Sequence, residues 1–238
     1  MRKSVPKLAA TNDYGWHNQH LDESVARLHR GQTYRDLSTV WLTPTRGVIP
    51  AKVVSSWVGL MRPMNQKVFG PLFIENMEVG EAYNRGIEMI LDHAELSKFK
   101  YLLTVEEDNA PPADGLLKLY ESMDRFDAVS GLYWTKGTEG QPMCYGDTAV
   151  MPKNFTPQPP PVDCVKEYNG LGMGFCLFKL SMFKKLSKPW CRTLQSTTQG
   201  QMTQDLFLFQ NAAKEGFRFA VDGRVKVGHW DQAGQMMW

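Results

Sequence analysis

Residues 99–112, FKYLLTVEEDNAPP, constrain this chain more than any other stretch. Residues 99–105 are almost continuously apolar and β-prone, which suits a strand buried on both faces of a parallel sheet. The run ends at once in Glu106, Glu107 and Asp108, then Asn109, and the pair Pro111-Pro112 blocks any helix before Ala113. Three acids therefore stand at the carboxyl end of a central strand, where open α/β sheets place their ligands. Carboxylates packed this closely repel one another, so either their pKa values rise or a cation holds them together. Hard ions such as Mg²⁺ or Mn²⁺ suit such oxygen ligands and usually complete their shell with substrate phosphates.

The chain on either side reads as alternating strands and helices. STVWLT at 38–43 is a strand, PTRGVIP breaks it, and Pro50 starts a helix reaching about residue 61. Residues 68–75 form a second strand and 79–94 a helix with Ala82, Ile87, Ile90 and Leu91 on one face. With the acidic strand third, these spacings predict right-handed βαβ crossovers. A helix from 114 to about 123 and a strand at 127–134 follow, then a Gly- and Pro-rich surface excursion at 135–161. Strands at 162–166 and 173–178 flank NGLGMG, and a short basic helix, SMFKKL, comes next. A helix from Thr203 to Glu215 stops at Gly216, and two short strands at 217–221 and 225–227 lead into Gly228 and His229.

Composition narrows the class. A chain of 238 residues that is 42% hydrophobic can bury a full α/β core. A net charge of +2 recruits neither nucleic acid nor an anionic membrane by a global field, although local basic patches are compatible with it. Residues 1–36 are polar and irregular and read as an N-terminal arm with a short helix at 22–30, in which His17, His20 and His29 are surface or packing residues. The first residues lack the apolar core of a signal peptide and no run is long enough to span a bilayer, so the expectation is a soluble cytoplasmic protein without membrane insertion. Cys144, Cys164, Cys176 and Cys191 lack the close pairs of a zinc site and are expected as free thiols.

The apolar strand, acid-x-acid and Pro-Pro helix start resemble the Asp-x-Asp region of GT-A-fold glycosyltransferases, with Glu106 and Asp108 in the two acidic places. Glu106 departs from the commoner Asp. The resemblance covers about residues 38–231 and is nearest to family 2. It implies an α/β fold of GT-A type: a Rossmann-like, mostly parallel central sheet flanked by helices, with a smaller acceptor-side subregion. The nucleotide-binding half would be 37–134 and the acceptor-binding half 135–238. It implies a nucleoside-diphosphate sugar as donor, UDP-sugar foremost, with Mn²⁺ or Mg²⁺ bound by Asp108, His229 and Glu106. Pro44, Thr45, Arg46, Glu75, Arg85, Glu106 and Glu107 would serve the nucleotide. Gly172 and Gly174 would lie in the glycine loop under donor sugar and acceptor.

TQDLFLFQNAAKEG resembles the x-Glu-Asp helix start of inverting members, with Gln204 in place of Glu, and implies Asp205 as general base. Plainer readings stand beside these: Asp205 as ordinary first-turn acid, Arg85 as a solvated helix residue, His229 as structural. Rival functions are a nucleotidyltransferase, for which TPTRGVIP is a poor phosphate loop, and a non-catalytic sugar-nucleotide or glycan-binding module. Lys179, Lys184, Lys185, Lys188 and Arg192 could follow a phosphate backbone. The compact form also resembles bacteriophage glycosyltransferases, some of which decorate hydroxymethylated DNA bases, so DNA enters as an acceptor to test.

Overall fold

A computed structural model describes residues 35–137, 139–196 and 200–238, the side chains of 195–201 excepted. The expected N-terminal helix and the histidines at 17, 20 and 29 lie outside the described residues. The strands are β1 Thr39–Thr45, β2 Val68–Glu75, β3 Tyr101–Val105, β4 Asn109–Ala110, β5 Ala128–Leu132, β6 Cys144–Tyr145 and β7 Val165–Tyr168. They continue with β8 Gly170–Leu171, β9 Phe175–Lys179, β10 Leu194–Ser196, β11 Gly200–Met202, β12 Phe219–Lys226, β13 Gly228–Asp231 and β14 Met236–Met237. The helices are α1 Ala51–Val58, α2 Val79–Asp92, α3 Gly115–Tyr120, α4 Leu180–Lys185 and α5 Gln204–Lys214. Leu37–Trp238 make one compact unit.

Seven strands form the central sheet in the order β2-β1-β3-β9-β5-β12-β7. β1, β2, β3, β5 and β12 run the same way, while β9 and the edge strand β7 run against them. The alternation of each buried strand supplies two cores. On one face Val40, Leu42, Leu102, Cys176 and Phe178 pack with Tyr83, Ile87 and Ile90 of α2 and Leu208 and Phe209 of α5. On the other, Trp41, Leu103, Val105, Phe175 and Leu177 pack with Val53 and Trp57 of α1 and Leu116 and Leu119 of α3. α2 approaches so closely that a Cβ on Gly86 would stand 2.4 Å from a methyl carbon of Leu42.

The sequence pattern errs at element ends and misses the short strands β4, β6, β8, β10, β11, β13 and β14. β1 continues through Pro44, which faces Ile74 of β2; pairing with β3 has already ended at Leu42, so the proline pairs on one side only. α1 stops at Val58, before Gly59, short of the expected end at 61. The two strands expected at 217–227 are one strand, β12, with an irregularity after Asp222. Asp222 is fully buried yet satisfied by Arg224, which donates from its Nε at 2.9 Å and Nη2 at 2.7 Å. All four cysteines are unpaired. Among the described residues no helix is long and apolar enough to cross a membrane.

Two placements build the site. Because β9 is antiparallel to β3 and Phe175 faces Val105, the glycine loop just before β9 abuts the acidic triplet just after β3. Because β13 pairs with β4, with His229 opposite Asn109, the end of the chain is delivered beside Asp108.

Candidate functional site

The three acids behave differently although they are consecutive. Glu107 turns toward β1 and is a clasp: its Oε2 accepts from Thr45 Oγ1 at 2.7 Å and from the Arg46 amide at 2.7 Å. Its Oε1 accepts from Arg46 Nε at 2.5 Å. The Arg46 side chain is itself 81% exposed, so its guanidinium is aimed by a buried acid but open to solvent. The partner carboxylate raises the Arg46 pKa further.

Glu106 turns the other way, toward α2, where the buried Tyr83 hydroxyl donates to its Oε1 at 2.8 Å. Burial, and then the charge of Asp108, push the Glu106 carboxyl up to about 7 against the stabilising Tyr83 bond. Asp108 follows opposite logic. Burial would raise it, but the hydrogen bonds and charges of the His229 ring in its protonated form and of Lys136 bring it to about 2. Lys136 Nζ lies 2.5 Å from Asp108 Oδ2, and His229 Nε2 lies 3.5 Å from the same oxygen.

The His229 ring is oriented by its other nitrogen. Nδ1 is 2.7 Å from the Trp134 carbonyl oxygen, which can only accept, so the proton is on Nδ1 and, in the neutral ring, Nε2 presents its lone pair toward Asp108. Tyr133 meets the ring edge-on at 5.5 Å between centroids. An imidazole fixed through a backbone carbonyl and facing a carboxylate is a donor pair that fits a divalent cation. The 3.5 Å separation is one that two metal bonds of about 2.1 Å can span. Among the described residues no group of three or more His, Cys, Asp or Glu side chains gathers closely enough for a metal. Glu106 therefore does not complete a three-ligand cluster with Asp108 and His229, and phosphate or water oxygens would have to fill the remaining positions.

Two cavities of about 290 Å³ each share Arg46, Glu107 and Asp108 as walls. The first is closed by Pro44, Thr45, Met77, Val79 and Glu106, and the second by Val48, Pro50, Lys136, Trp230 and Gln232. Glu75 faces Thr45 across the strand pair and is exposed outside these walls, where Met77 and Val79 take the place expected for it. Arg85 is exposed on α2 and also off the walls.

Asp205 opens α5 and is 3% exposed. Its Oδ1 accepts a short hydrogen bond from Thr203 Oγ1 and one from the Leu206 amide at 2.9 Å. Thr203 makes no side-chain cap to the helix, because its hydroxyl is turned to this acid. Burial raises the Asp205 pKa against those bonds, and its charge in turn raises Glu106, Tyr133 and Tyr145. Asp205 thus shares an electrostatic neighbourhood with Glu106 while standing off the walls of both cavities. Gly172 and Gly174 are buried against protein: a Cβ would stand 2.2 Å from Tyr133 Oη and 2.4 Å from Asn109 Oδ1 respectively. The Gly174 amide donates to Tyr133 Oη at 2.8 Å.

Sequence reasoning missed Tyr83, Tyr133, Trp134 and Lys136. Tyr83 carried a signal, since it shares the helical stripe of Ile87 and Ile90 while Arg85 points away from it. Lys136 carried none, lying in the irregular excursion. Of the basic residues expected to follow a phosphate backbone, Lys179 and Lys184 line a different cavity, and Arg192 lines another beside Glu78 at the start of α2. Lys179 faces Tyr101 at the start of β3, about 13 Å along the strand from Val105. Lys184 donates to the Ser97 carbonyl at 2.6 Å, Lys179 pairs with Asp127 at 3.1 Å and Lys188 with Glu88 at 2.8 Å.

No protein-family model matches the chain, and no curated protein does. Solved structures do. A197 from STIV is similar with a TM-score of 0.60 at 17% identity, over 84% of this chain and 92% of that one. GalNAc-T7, solved with UDP, GalNAc and Mn²⁺, is similar with a TM-score of 0.53 at 10% identity. The match takes in 83% of this chain but only 44% of GalNAc-T7. At such identities the likeness concerns architecture, and it agrees with the sheet order and flanking helices: the fold is the α/β fold of GT-A type.

Proposed function

We propose that this chain is a glycosyltransferase that moves a sugar from a nucleoside-diphosphate sugar, UDP-sugar foremost, to a hydroxyl acceptor. The observation that carries the reading is that Asp108, which walls a cavity at the ends of β1 and β3, has His229 3.5 Å away, just off those walls. In this reading Pro44, Thr45, Met77 and Val79 shape the nucleotide pocket. Arg46, aimed by Glu107, presents its free donors to the phosphates. Asp108 and His229 hold Mn²⁺ or Mg²⁺, which when bound supplies positive charge to the departing diphosphate.

Asp205 takes the proton of the attacking hydroxyl. Its burial makes it a stronger proton acceptor than a solvated aspartate, which is what a general base requires. One base acting this way corresponds to an inverting transfer similar to family 2. Glu106, anchored by Tyr83, lies beside the donor and contacts the ribose. Gly172 and Gly174 serve through their missing side chains, which let Tyr133 and Asn109 pack close to the acidic loop. A hydroxymethylated DNA base as acceptor draws no support from Lys179 or Lys184, which sit at the other end of the sheet.

The test is release of free nucleoside diphosphate from a panel of sugar nucleotides with Mn²⁺. One donor should be turned over, with loss of release in EDTA. A panel without release from any donor, cation present, contradicts the proposal.

A further inference from the structure

We propose that Lys136 is a built-in counter-ion that competes with the divalent cation for Asp108, so that the metal enters only together with an anionic nucleotide. The inference rests on the donor-site reading above and adds to it a residue and a binding order. Its basis is one oxygen atom. Asp108 Oδ2 receives Lys136 Nζ at 2.5 Å and faces His229 Nε2 at 3.5 Å, so the ammonium is bonded to the oxygen a cation at this donor pair would use. Two cations on a single carboxylate oxygen repel strongly in a site this shielded, where Asp108 is 18% and His229 14% exposed.

Local charge makes the competition decisive. Glu107 is held by Arg46, and Asp108 faces Lys136 directly. Even with Glu106, Glu107 and Asp108 all counted as carboxylates against Arg46 and Lys136, adding a divalent ion turns the cleft net positive. A nucleoside diphosphate brings the missing negative charge and gives the displaced ammonium new acceptors. The loop after β5 suits this exchange. Trp134 at its root fixes His229 through its carbonyl, whereas Lys136, two residues on, has a side chain that is 31% exposed and lines the second cavity. One short segment therefore holds the imidazole still and leaves the competing cation a long, flexible stem.

The experiment is a Mn²⁺ titration followed by electron paramagnetic resonance, with and without UDP, on wild type and on Lys136→Met and Lys136→Gln. Wild type should bind Mn²⁺ weakly alone and at least about tenfold more tightly with UDP. Both variants should bind Mn²⁺ alone at least about tenfold more tightly than wild type, and their gain from UDP should shrink accordingly. Thermal melting identifies a variant that has not folded, in which case the other variant decides. If Lys136 variants bind Mn²⁺ no better than wild type while wild type still binds it with UDP, the counter-ion role is wrong and the donor site stands. If wild type binds no Mn²⁺ even with UDP, the donor-site reading falls and this inference with it.

Discussion

The two ends of the central sheet are both crowded with charge, and they treat it in opposite ways. At the carboxyl end of β3, Glu106, Glu107 and Asp108 are shielded, each turned to a different partner, and two of them are moved in opposite directions, to about 7 and about 2. At the amino end, Lys98, Lys100, Lys179 and Lys184 line a shallow cavity of about 300 Å³, and three of the four are quenched by Glu95, Asp127 or a backbone carbonyl. The difference is one of convergence. Separate elements, β1, β3, β13 and the loop after β5, aim unlike groups at one oxygen-rich cleft, whereas the lysines project from neighbouring surface positions and find the nearest acceptor. Exposed pairs of that second kind contribute little to stability, and desolvated groups of the first kind are those that chemistry uses.

The contrast can be broken most directly at Asp108. Asp108→Ala should lower sugar-nucleotide turnover by more than about 10³-fold and abolish nucleotide-dependent Mn²⁺ binding, read by steady-state kinetics and metal titration. Asp205→Asn should lower turnover by about 10² to 10³-fold while UDP affinity stays within about twofold, since the base acts only in the chemical step. Full activity in that variant would remove Asp205 from the chemistry.

Glu106 sharpens the comparison through pH. Its folded pKa of about 7 lies above the ordinary 4.5, so the native state binds more protons than the unfolded chain between those values. Stability contributed by this group is therefore present below about 4.5, declines as pH rises, and is fully lost above about 7. Glu106→Gln should flatten that decline, so that on going from about pH 4 to about pH 8 the variant loses roughly 3 kcal/mol less stability than wild type, measured by thermal melts with chelator present. The smallest effect belongs to the far end. Lys184→Ala should change stability by no more than about 0.5 kcal/mol and leave turnover unaltered. A large loss of turnover there would mean the two ends are not functionally separate.

Much of this was legible in the chain because it is carried by local periodicity. The run YLLTV must be buried on both faces, and the abrupt acids after it must stand at a strand end. His229 was legible as the residue just beyond β12, although it stands inside the short strand β13 and not after a terminal strand. What the sequence hides is direction and rotation. Nothing local says that β9 enters the middle of the sheet antiparallel, yet that reversal sets Gly174 against Asn109 and explains why the glycines serve packing. Nor does an acidic triplet announce that its middle member is spent on Arg46. The partner of Asp108 that faces it most closely, Lys136, sits in a segment without periodicity, and only tertiary pairing brings it to the carboxylate.

The central claim is that Asp108 and His229 form a cation-assisted site for a nucleoside diphosphate. Calorimetric titration of UDP into the protein, with Mn²⁺ and with EDTA, tests it most directly. The account requires binding that is strong with Mn²⁺, at least about tenfold weaker in EDTA, and insensitive to the metal in His229→Ala. UDP binding of equal strength with and without the cation, or no binding in either condition, would contradict it.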